Sequence, residues 1–354
     1  MINIGIIGCG KIAQVRHIPE YEANENARIC GFYDINQERA GELAKKYQAK
    51  VYDSYEELLA DDTIDAVSVC AANSVHAAIT IAALEAGKHV LCEKPMAMTL
   101  TDCEAMVRAA RQNDRILMID QNQRLAGAHR EAKRMIDAGE IGDILTFRTT
   151  FGHGGPETWS IDPGKSTWFF DKDKAVMGVM ADLGIHKTDL IQFLTSQKIV
   201  EVTARLVTLH KKDGAGELIG VDDNAFCIYR LSGGATGTMT ASWTHYGAED
   251  NSTVLHGTKG MMKIYDDPVH SIVVVKEDGT RKEYDAEAMQ TNDNQTNSGV
   301  IDLFIECQES GREPEISGES VLQAMRAVFG SVESSQKGRT VTVNREEQEG
   351  TGEA

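Results

Sequence analysis

Three side chains of this 354-residue sequence have the types and spacing of a proton-transfer site. Lys94 follows a short apolar run and precedes Pro95, and a proline restricts the backbone of the residue before it, so Lys94 should be held in one direction. Asp182 and His186 are four residues apart, which places them on one face of a helix, where the carboxylate can orient the imidazole and favour its charged form. We expect these groups to share one site.

The pair on the helix has a second interpretation, an exposed ion pair worth only about 0.2–0.5 kcal/mol. The helix predicted over residues 175–194 is largely apolar, which favours a core or a cleft over the surface. Asp189 lies on the same face of this helix as Asp182 and His186.

The amino-terminal segment has the pattern of a dinucleotide-binding loop. An apolar run over residues 2–7 predicts a buried strand, which leads directly into a G-x-G-x-x-A sequence formed by Gly8, Cys9, Gly10, Lys11, Ile12 and Ala13. In this pattern Gly8 makes the tight turn, Gly10 lets a pyrophosphate approach the backbone, and Ala13 permits close helix–strand packing. The phosphates would bind at the start of the next helix.

A second predicted strand, residues 27–33, is followed by Asp34, about 20 residues after the glycine loop, where such folds place an acid for the adenosine ribose. A carboxylate there accepts both ribose hydroxyls and repels a 2′-phosphate. Since no arginine directly follows Asp34, we expect NAD rather than NADP as the cofactor. The alternative role of Asp34 is that of N-cap for the helix predicted over residues 38–47.

Strands and helices alternate through residue 124, which predicts a six-stranded, doubly wound α/β sheet and a first domain over residues 1–124. Asn73 and His76 lie in a loop that would face the cofactor. Asn73 could equally cap the following helix, and His76 could occupy an ordinary position in its first turn.

After Arg124 the sequence consists mainly of strand-like segments joined by glycine turns, which predicts an α+β domain with an antiparallel sheet over residues 125–344 and a disordered tail over 345–354. A glycine-rich loop in this half contains His153, Trp159 and Trp168. Aromatic faces beside polar groups suit a sugar-like ligand in a cleft. Alternatively, this is a surface loop anchored by its tryptophans.

Composition narrows the class of partner. The net charge of −18 argues against nucleic acid and anionic membranes, and no apolar run reaches the roughly 20 residues of a membrane span. The seven cysteines lack C-x-x-C spacing, so we expect free thiols, no metal site and a cytoplasmic location.

These motifs resemble the Gfo/Idh/MocA oxidoreductases, the group that includes glucose–fructose oxidoreductase and inositol dehydrogenases. The resemblance covers nearly the whole chain and is carried by the glycine pattern of residues 8–13, A-G-K-H-V at 86–90, E-K-P at 93–95 and D-L-G-I-H-K-T-D at 182–189.

The resemblance implies an NAD(P)-binding first domain and an open, mostly antiparallel sheet in the second, used for dimer or tetramer contacts. It makes Lys94, Asp182 and His186 the catalytic residues and adds Glu93 to the cofactor-binding set. The family's Asn-Arg-Arg-type segment appears here as residues 121–124, so Arg124 joins His153 and the two tryptophans as a candidate substrate contact.

The implied reaction is hydride transfer between a secondary alcohol of a sugar, polyol or sugar derivative and the nicotinamide. His186, held by Asp182, would remove the hydroxyl proton, and Lys94 would stabilise the charge on the same oxygen. Two alternatives remain. One is a glycosidase that oxidises, eliminates and reduces within one turnover, and the other is a non-catalytic protein that senses NAD.

Overall fold

The computed structural model describes residues 1–286 and 297–343. The predicted tail over residues 345–354 lies outside the described residues. None of the helices in the described ranges is long and apolar enough to cross a membrane.

The amino-terminal half forms a six-stranded parallel sheet whose strand order, β3-β2-β1-β4-β5-β6, is that of a doubly wound dinucleotide-binding fold. Its strands are β1 (Ile2–Ile7), β2 (Ala27–Tyr33), β3 (Lys50–Val51), β4 (Ala66–Val69), β5 (His89–Cys92) and β6 (Leu117–Ile119). Its helices are α1 (Ile18–Ala23), preceded by a π-helical turn at Ala13–His17, α2 (Gln37–Tyr47), α3 (Tyr55–Leu59), α4 (His76–Glu85) and α5 (Leu100–Gln112). The predicted architecture is confirmed.

The second half is built on a nine-stranded sheet in the order β14-β13-β12-β11-β7-β10-β9-β8-β15. Its strands are β7 (Ile144–Gly152), β8 (Ile199–Val207), β9 (Asn224–Leu231), β10 (Thr236–Ser242), β11 (Thr253–Gly257), β12 (Gly260–Ile264), β13 (Ile272–Lys276), β14 (Arg281–Tyr284) and β15 (Val341–Thr342). Its helices are α6 (Gly127–Asp137), α7 (Lys172–Ala175), α8 (Ile185–Thr195), α9 (Val300–Ser310) and α10 (Gly318–Lys337).

The predicted antiparallel pairing holds for every pair of neighbouring strands in this sheet except one. Strands β7 and β10 run parallel, because the chain leaves the sheet after β7, builds the segment up to α8, and re-enters near the opposite edge at β8. Helix α9 then returns to the first half, where Phe304 packs in the same core as Ile4 and Phe32. The domain division at residue 124 stays a prediction.

The single long helix predicted over residues 175–194 is wrong in its first part. After α7 the chain breaks at Val176, whose φ is +64°, passes through a π-helical turn at Met180–Gly184 and continues as α8. The backbone N–H groups of Gly178 and Met180 donate to the carboxylate of Asp222, a residue of a distant segment. Because that partner is remote in sequence, helical periodicity gives no sign of the break.

Candidate active site

A cleft of about 690 Å³ lies where the carboxyl ends of the first sheet face the second half. This volume falls in the range of about 300–1,000 Å³ that is usual for ligand sites. Most of the predicted site residues line it, namely Gly8, Gly10, Lys11, Ile12, Asp34, Asn73, His76, Glu93, Lys94, His153, Trp159, Trp168, Asp182 and His186. Ala13 and Arg124 do not.

The glycine loop has the geometry that its pattern predicts. Gly8 has a φ of +93°, and a Cβ there would lie 2.6 Å from the backbone carbonyl of Cys70. Gly10 faces open space, so a phosphate can approach its backbone. Ala13 is buried, in keeping with its predicted packing role. The loop therefore fits a pyrophosphate.

Asp34 is held beside this loop by two backbone amides. Its carboxylate accepts from the N–H of Cys9 at 2.6 Å and of Asn36 at 2.7 Å. The alternative role of Asp34 as N-cap of α2 is wrong, since Asn36 caps that helix by accepting from the N–H of Arg39 at 3.1 Å. Each carboxylate oxygen retains a free lone pair for a ribose hydroxyl.

Two neighbours of Asp34 were missed by the sequence analysis. Ile35 is 94% exposed at the same end of the cleft, which gives a flat base an apolar surface to lie against. Arg39 also lines the cleft and pairs across it with Asp162 at 3.1 Å. Arg39 does not directly follow Asp34 but lies in the first turn of α2, so adjacency in the sequence does not reveal it.

Asn73 and His76 use their polar atoms on backbone carbonyls. The Asn73 amide donates to the carbonyl of Ala175 at 3.2 Å, so it joins the two halves, and it does not cap α4. The ring nitrogens of His76 lie 2.8 Å from the carbonyl of Pro95 and 3.0 Å from that of Ala71. Their contact with the cofactor stays a prediction.

Lys94 reaches across the cleft to the second half. Its Nζ donates to the carboxylate and to the backbone carbonyl of Asp182, each at 2.9 Å. The other carboxylate oxygen of Asp182 accepts from the indole N–H of Trp243 at 2.9 Å, a partner that sequence analysis did not identify. Burial alone would raise the pKa of Asp182, but the charge of Lys94 and the hydrogen bonds from Lys94 and Trp243 hold it below its usual value. An ammonium has three hydrogens, so Lys94 keeps one for a ligand.

The predicted hydrogen bond between Asp182 and His186 is not formed, because the π-helical turn separates the two residues and removes the regular i, i+4 spacing. The Nδ1 atom of His186 is buried without a partner. Burial, followed by the charge of Lys94, holds the pKa of His186 well below 6.5, although Asp182 acts in the opposite direction. Asp182 thus favours the charged form, as predicted, but burial and Lys94 outweigh it, so the ring is neutral and can act as a base.

The structure removes Arg124 from the candidate substrate contacts. Its guanidinium is buried and binds the carboxylate of Asp189 through two hydrogen bonds, at 2.6 and 2.5 Å. A third nitrogen donates to the carbonyl of Glu315 at 2.8 Å and to the hydroxyl of Ser320 at 3.2 Å. With its donors engaged outside the cleft, Arg124 joins elements of the fold.

His153 enters the cleft from the glycine-rich loop. Its Nδ1 accepts from the N–H of Gly155 at 2.9 Å, so the neutral ring carries its proton on Nε2. Burial lowers the pKa of His153, which favours this neutral form. Lys211, also missed by the sequence analysis, fixes the loop by donating to the carbonyl of Gly154 at 2.5 Å and pairing with Glu157.

The two tryptophans of the loop are half-buried at the cleft wall. The ring of Trp168 stacks on that of Phe169 with centroids 4.0 Å apart, and Trp159 lies near the start of the same segment. Both therefore present aromatic surface to the cleft, and their contact with a substrate stays a prediction.

A buried charged cluster lies beneath Glu93. The Nε2 atom of His17 is 3.0 Å from the carboxylate of Glu93 and 3.5 Å from that of Asp120. Burial alone would lower the pKa of His17, but Cys70, Asp120 and Glu93 raise it well above its usual value, so an imidazolium balances the two acids. The side chains of His17, Glu93 and Asp120 have a spacing that could hold a metal ion, and the expectation of no metal stays a prediction.

Comparison with known proteins agrees with this architecture. Residues 2–121 match the family model described as an oxidoreductase family with an NAD-binding Rossmann fold, and residues 129–263 match the GFO/IDH/MocA C-terminal domain. The chain is 27% identical to a myo-inositol 2-dehydrogenase of Thermotoga maritima over 345 residues, 96% of this chain and 98% of the relative. It is 32% identical to a 1,5-anhydro-D-fructose reductase of Ensifer adhaerens over 259 residues, 73% and 74% of the two chains.

Solved structures give the same result. A levoglucosan dehydrogenase in complex with NADH and levoglucosan superposes with a TM-score of 0.82 at 25% identity, covering 97% of this chain and 99% of that one. An aldose–aldose oxidoreductase from Caulobacter crescentus in complex with glycerol superposes with a TM-score of 0.81 at 26% identity and the same coverage. The chain belongs to the GFO/IDH/MocA oxidoreductase family and binds NAD on its Rossmann fold.

Proposed function

We propose that this enzyme transfers a hydride between a secondary alcohol of a sugar, polyol or sugar derivative and NAD. The observation that supports this most directly is that an ammonium from the first half, Lys94, and a neutral imidazole from the second, His186, line one cleft. They lie beside the loop whose open Gly10 and amide-bound Asp34 fit a dinucleotide.

NAD held by the glycine loop and Asp34 would supply the acceptor for the hydride that leaves the alcohol carbon. His186, neutral because it is buried, takes the hydroxyl proton. Lys94 donates a hydrogen bond to the same oxygen and stabilises the charge that develops there. Asp182 holds the ammonium in place through its carboxylate and its carbonyl. In the reductive direction His186 returns the proton to the oxygen.

The substrate class rests on the relatives and on the cleft wall. The named relatives act on inositol and anhydrofructose, and a similar structure contains levoglucosan, which are ring compounds with several hydroxyls. In this chain His153 offers an N–H donor and Trp159 and Trp168 offer aromatic surface, which suit such rings. We propose these three residues as substrate contacts.

A substrate panel tests this function. The enzyme would be incubated with inositols, aldoses and anhydrosugars in the presence of NAD or NADP, and NADH absorbance would be followed. We expect turnover of at least one polyol with NAD preferred. NAD binding without turnover of any alcohol would favour a sensing role, and nitrophenol release from an aryl glycoside without net NADH would favour a glycosidase.

We also propose a homodimer or homotetramer formed through the second sheet and a cytoplasmic location. On β9, Phe226 and Ile228 are 48% and 50% exposed, an unusual exposure for large apolar side chains on one face. Light scattering should give a multiple of the chain mass, and the F226E/I228E variant should give a smaller one. V269E, at an isolated exposed valine, is the control.

The proposed cytoplasmic location is supported by the cysteines. All seven cysteines are free, as in a reducing compartment.

A further inference from the structure

We propose that Asp222 and Asp223 are positioning residues that hold two different parts of the cleft wall. Asp222 holds the catalytic turn, residues 178–184, and Asp223 holds the loop that would contact the substrate. The inference rests on the proposed function. Neither residue lines the cleft, so each acts through the segment that it binds.

Asp222 binds three successive amides of the catalytic turn. Its carboxylate accepts from the N–H of Gly178 and from that of Met180, each at 2.8 Å, and its backbone carbonyl accepts from the N–H of Val179 at 2.8 Å. Orphan amides at the start of a helical segment are commonly satisfied by a carboxylate, which also complements the helix dipole. Here the carboxylate comes from the segment just before β9, which is remote in sequence, so it sets the position of the turn in space.

The backbone of the turn that Asp222 binds can adopt few other conformations. A Cβ on Gly178 would lie 1.9 Å from the carbonyl oxygen of Asp222, so only glycine allows this approach. Val176, just before it, has a φ of +64°, which a β-branched residue adopts only under constraint. Four residues after Gly178 stands Asp182, whose carbonyl and carboxylate both hold Lys94.

Asp223 binds a different segment. Its carboxylate accepts from the N–H groups of Leu209, His210 and Lys211, each at 2.8 Å. Lys211 in turn donates to the carbonyl of Gly154 at 2.5 Å and pairs with Glu157, so the loop that carries His153 and Trp159 depends on it.

The two roles separate because the two neighbouring carboxylates bind different segments, residues 178–180 for Asp222 and residues 209–211 for Asp223. Both residues lie just before β9. Displacement of the catalytic turn should slow the chemical step, since a shift of about 1 Å can cost about 100-fold in rate. Displacement of the substrate loop should instead weaken binding.

The test compares D222N and D223N in the full-length protein. An amide keeps one acceptor oxygen and places an N–H₂ group against the second backbone N–H. We expect D222N to lower kcat about 10- to 100-fold with KM changed less than about 3-fold. We expect D223N to raise KM about 10-fold with kcat within about 3-fold of wild type. The Kd for NAD should not change in either variant.

D213N is the matched control, because Asp213 accepts from the amides of Ala215 and Glu217 in an exposed loop that does not line the cleft. It should behave as wild type. K211M keeps the contacts of Asp223 but removes the link to the loop, so it should reproduce the KM effect if D223N fails to fold. An equal loss of kcat in D222N and D223N, or wild-type kinetics in both, would overturn the inference.

Amide hydrogen exchange provides a readout that needs no substrate. D222N should speed exchange at residues 178–180 but not at 209–211, and D223N should do the reverse. Exchange that rises equally in both segments contradicts the division of roles. Failure of the proposed function would appear separately, as a wild-type enzyme that turns over no alcohol while the exchange pattern holds.

Discussion

Two ion pairs connect the first half to the same helical segment of the second, and they differ in what surrounds them. Lys94 binds Asp182 at 2.9 Å, and Arg124 binds Asp189 at 2.5 Å. The side chains of the first pair are 16% and 14% exposed and line the cleft, whereas those of the second are 9% and 2% exposed and do not. An ion pair can take part in catalysis only where one of its hydrogen-bond donors remains available to a ligand.

The two pairs differ in whether the cation has a hydrogen-bond donor left for a ligand. The ammonium of Lys94 donates two hydrogen bonds to one residue, Asp182, and has one hydrogen left for a ligand in the cleft. The guanidinium of Arg124 is shared among Asp189, Glu315 and Ser320. Removing Lys94 should therefore affect catalysis, and removing Arg124 should affect stability.

The largest expected effect is on turnover. Lys94→Ala and His186→Ala should each lower kcat about 100- to 10,000-fold, because each removes a group that handles the proton or the charge on the reacting oxygen. Binding of NAD, measured by calorimetry, should persist in both variants. Near-wild-type turnover with intact NAD binding would remove that residue from the mechanism and end the contrast between the two pairs.

The second effect is on the free energy of unfolding. Arg124→Met should lower it by about 3–5 kcal/mol, since Asp189 is then left buried without its counter-charge. Urea denaturation measures the change. Arg130→Met is the matched control, because Arg130 pairs with Glu315 with 52% and 36% of the side chains exposed, and such pairs are worth about 0–1 kcal/mol. Equal losses in the two variants would show that the Arg124 pair contributes no more to the free energy of unfolding than an exposed pair.

The third effect concerns pH. Protonation of His186 abolishes its capacity as a base, and burial places its pKa well below 6.5. The acid limb of kcat/KM for alcohol oxidation should therefore lie below pH 6.5, with the rate independent of pH just above it. Carbonyl reduction, which needs the protonated ring, should speed up as pH falls towards that pKa. An acid limb near pH 7 would contradict the neutral, buried base.

The smallest effect tests the support of the catalytic pair. Trp243→Phe removes the N–H donor to Asp182 but leaves Lys94 in place. We expect kcat to fall about 3- to 10-fold, equal to about 0.6–1.4 kcal/mol. Trp168→Phe, which alters an aromatic wall and no contact of Asp182, should change KM more than kcat. A loss above 100-fold for Trp243→Phe would mean that the indole, and not Lys94, fixes the carboxylate.

Short-range patterns in the sequence were sufficient to predict much of the fold and part of the site. Three features depend only on a strand and the few residues that follow it. They are the glycine loop from Gly8 to Ala13, the acid Asp34 after β2, and Lys94 after β5, whose direction is restricted by Pro95. Such local signals persist because backbone conformation and apolar periodicity are set by near neighbours. The family and its two-part architecture follow from them.

Tertiary contacts decided the rest of the site. Asp222 binds the segment where the predicted helix is interrupted, and Asp189 holds Arg124 away from the cleft. Trp243 donates to Asp182, a contact that no spacing in the sequence indicates. Each partner lies tens of residues away, so its effect has no periodicity to detect. Burial, which leaves His186 neutral, is likewise a property of the packed chain and not of the residue.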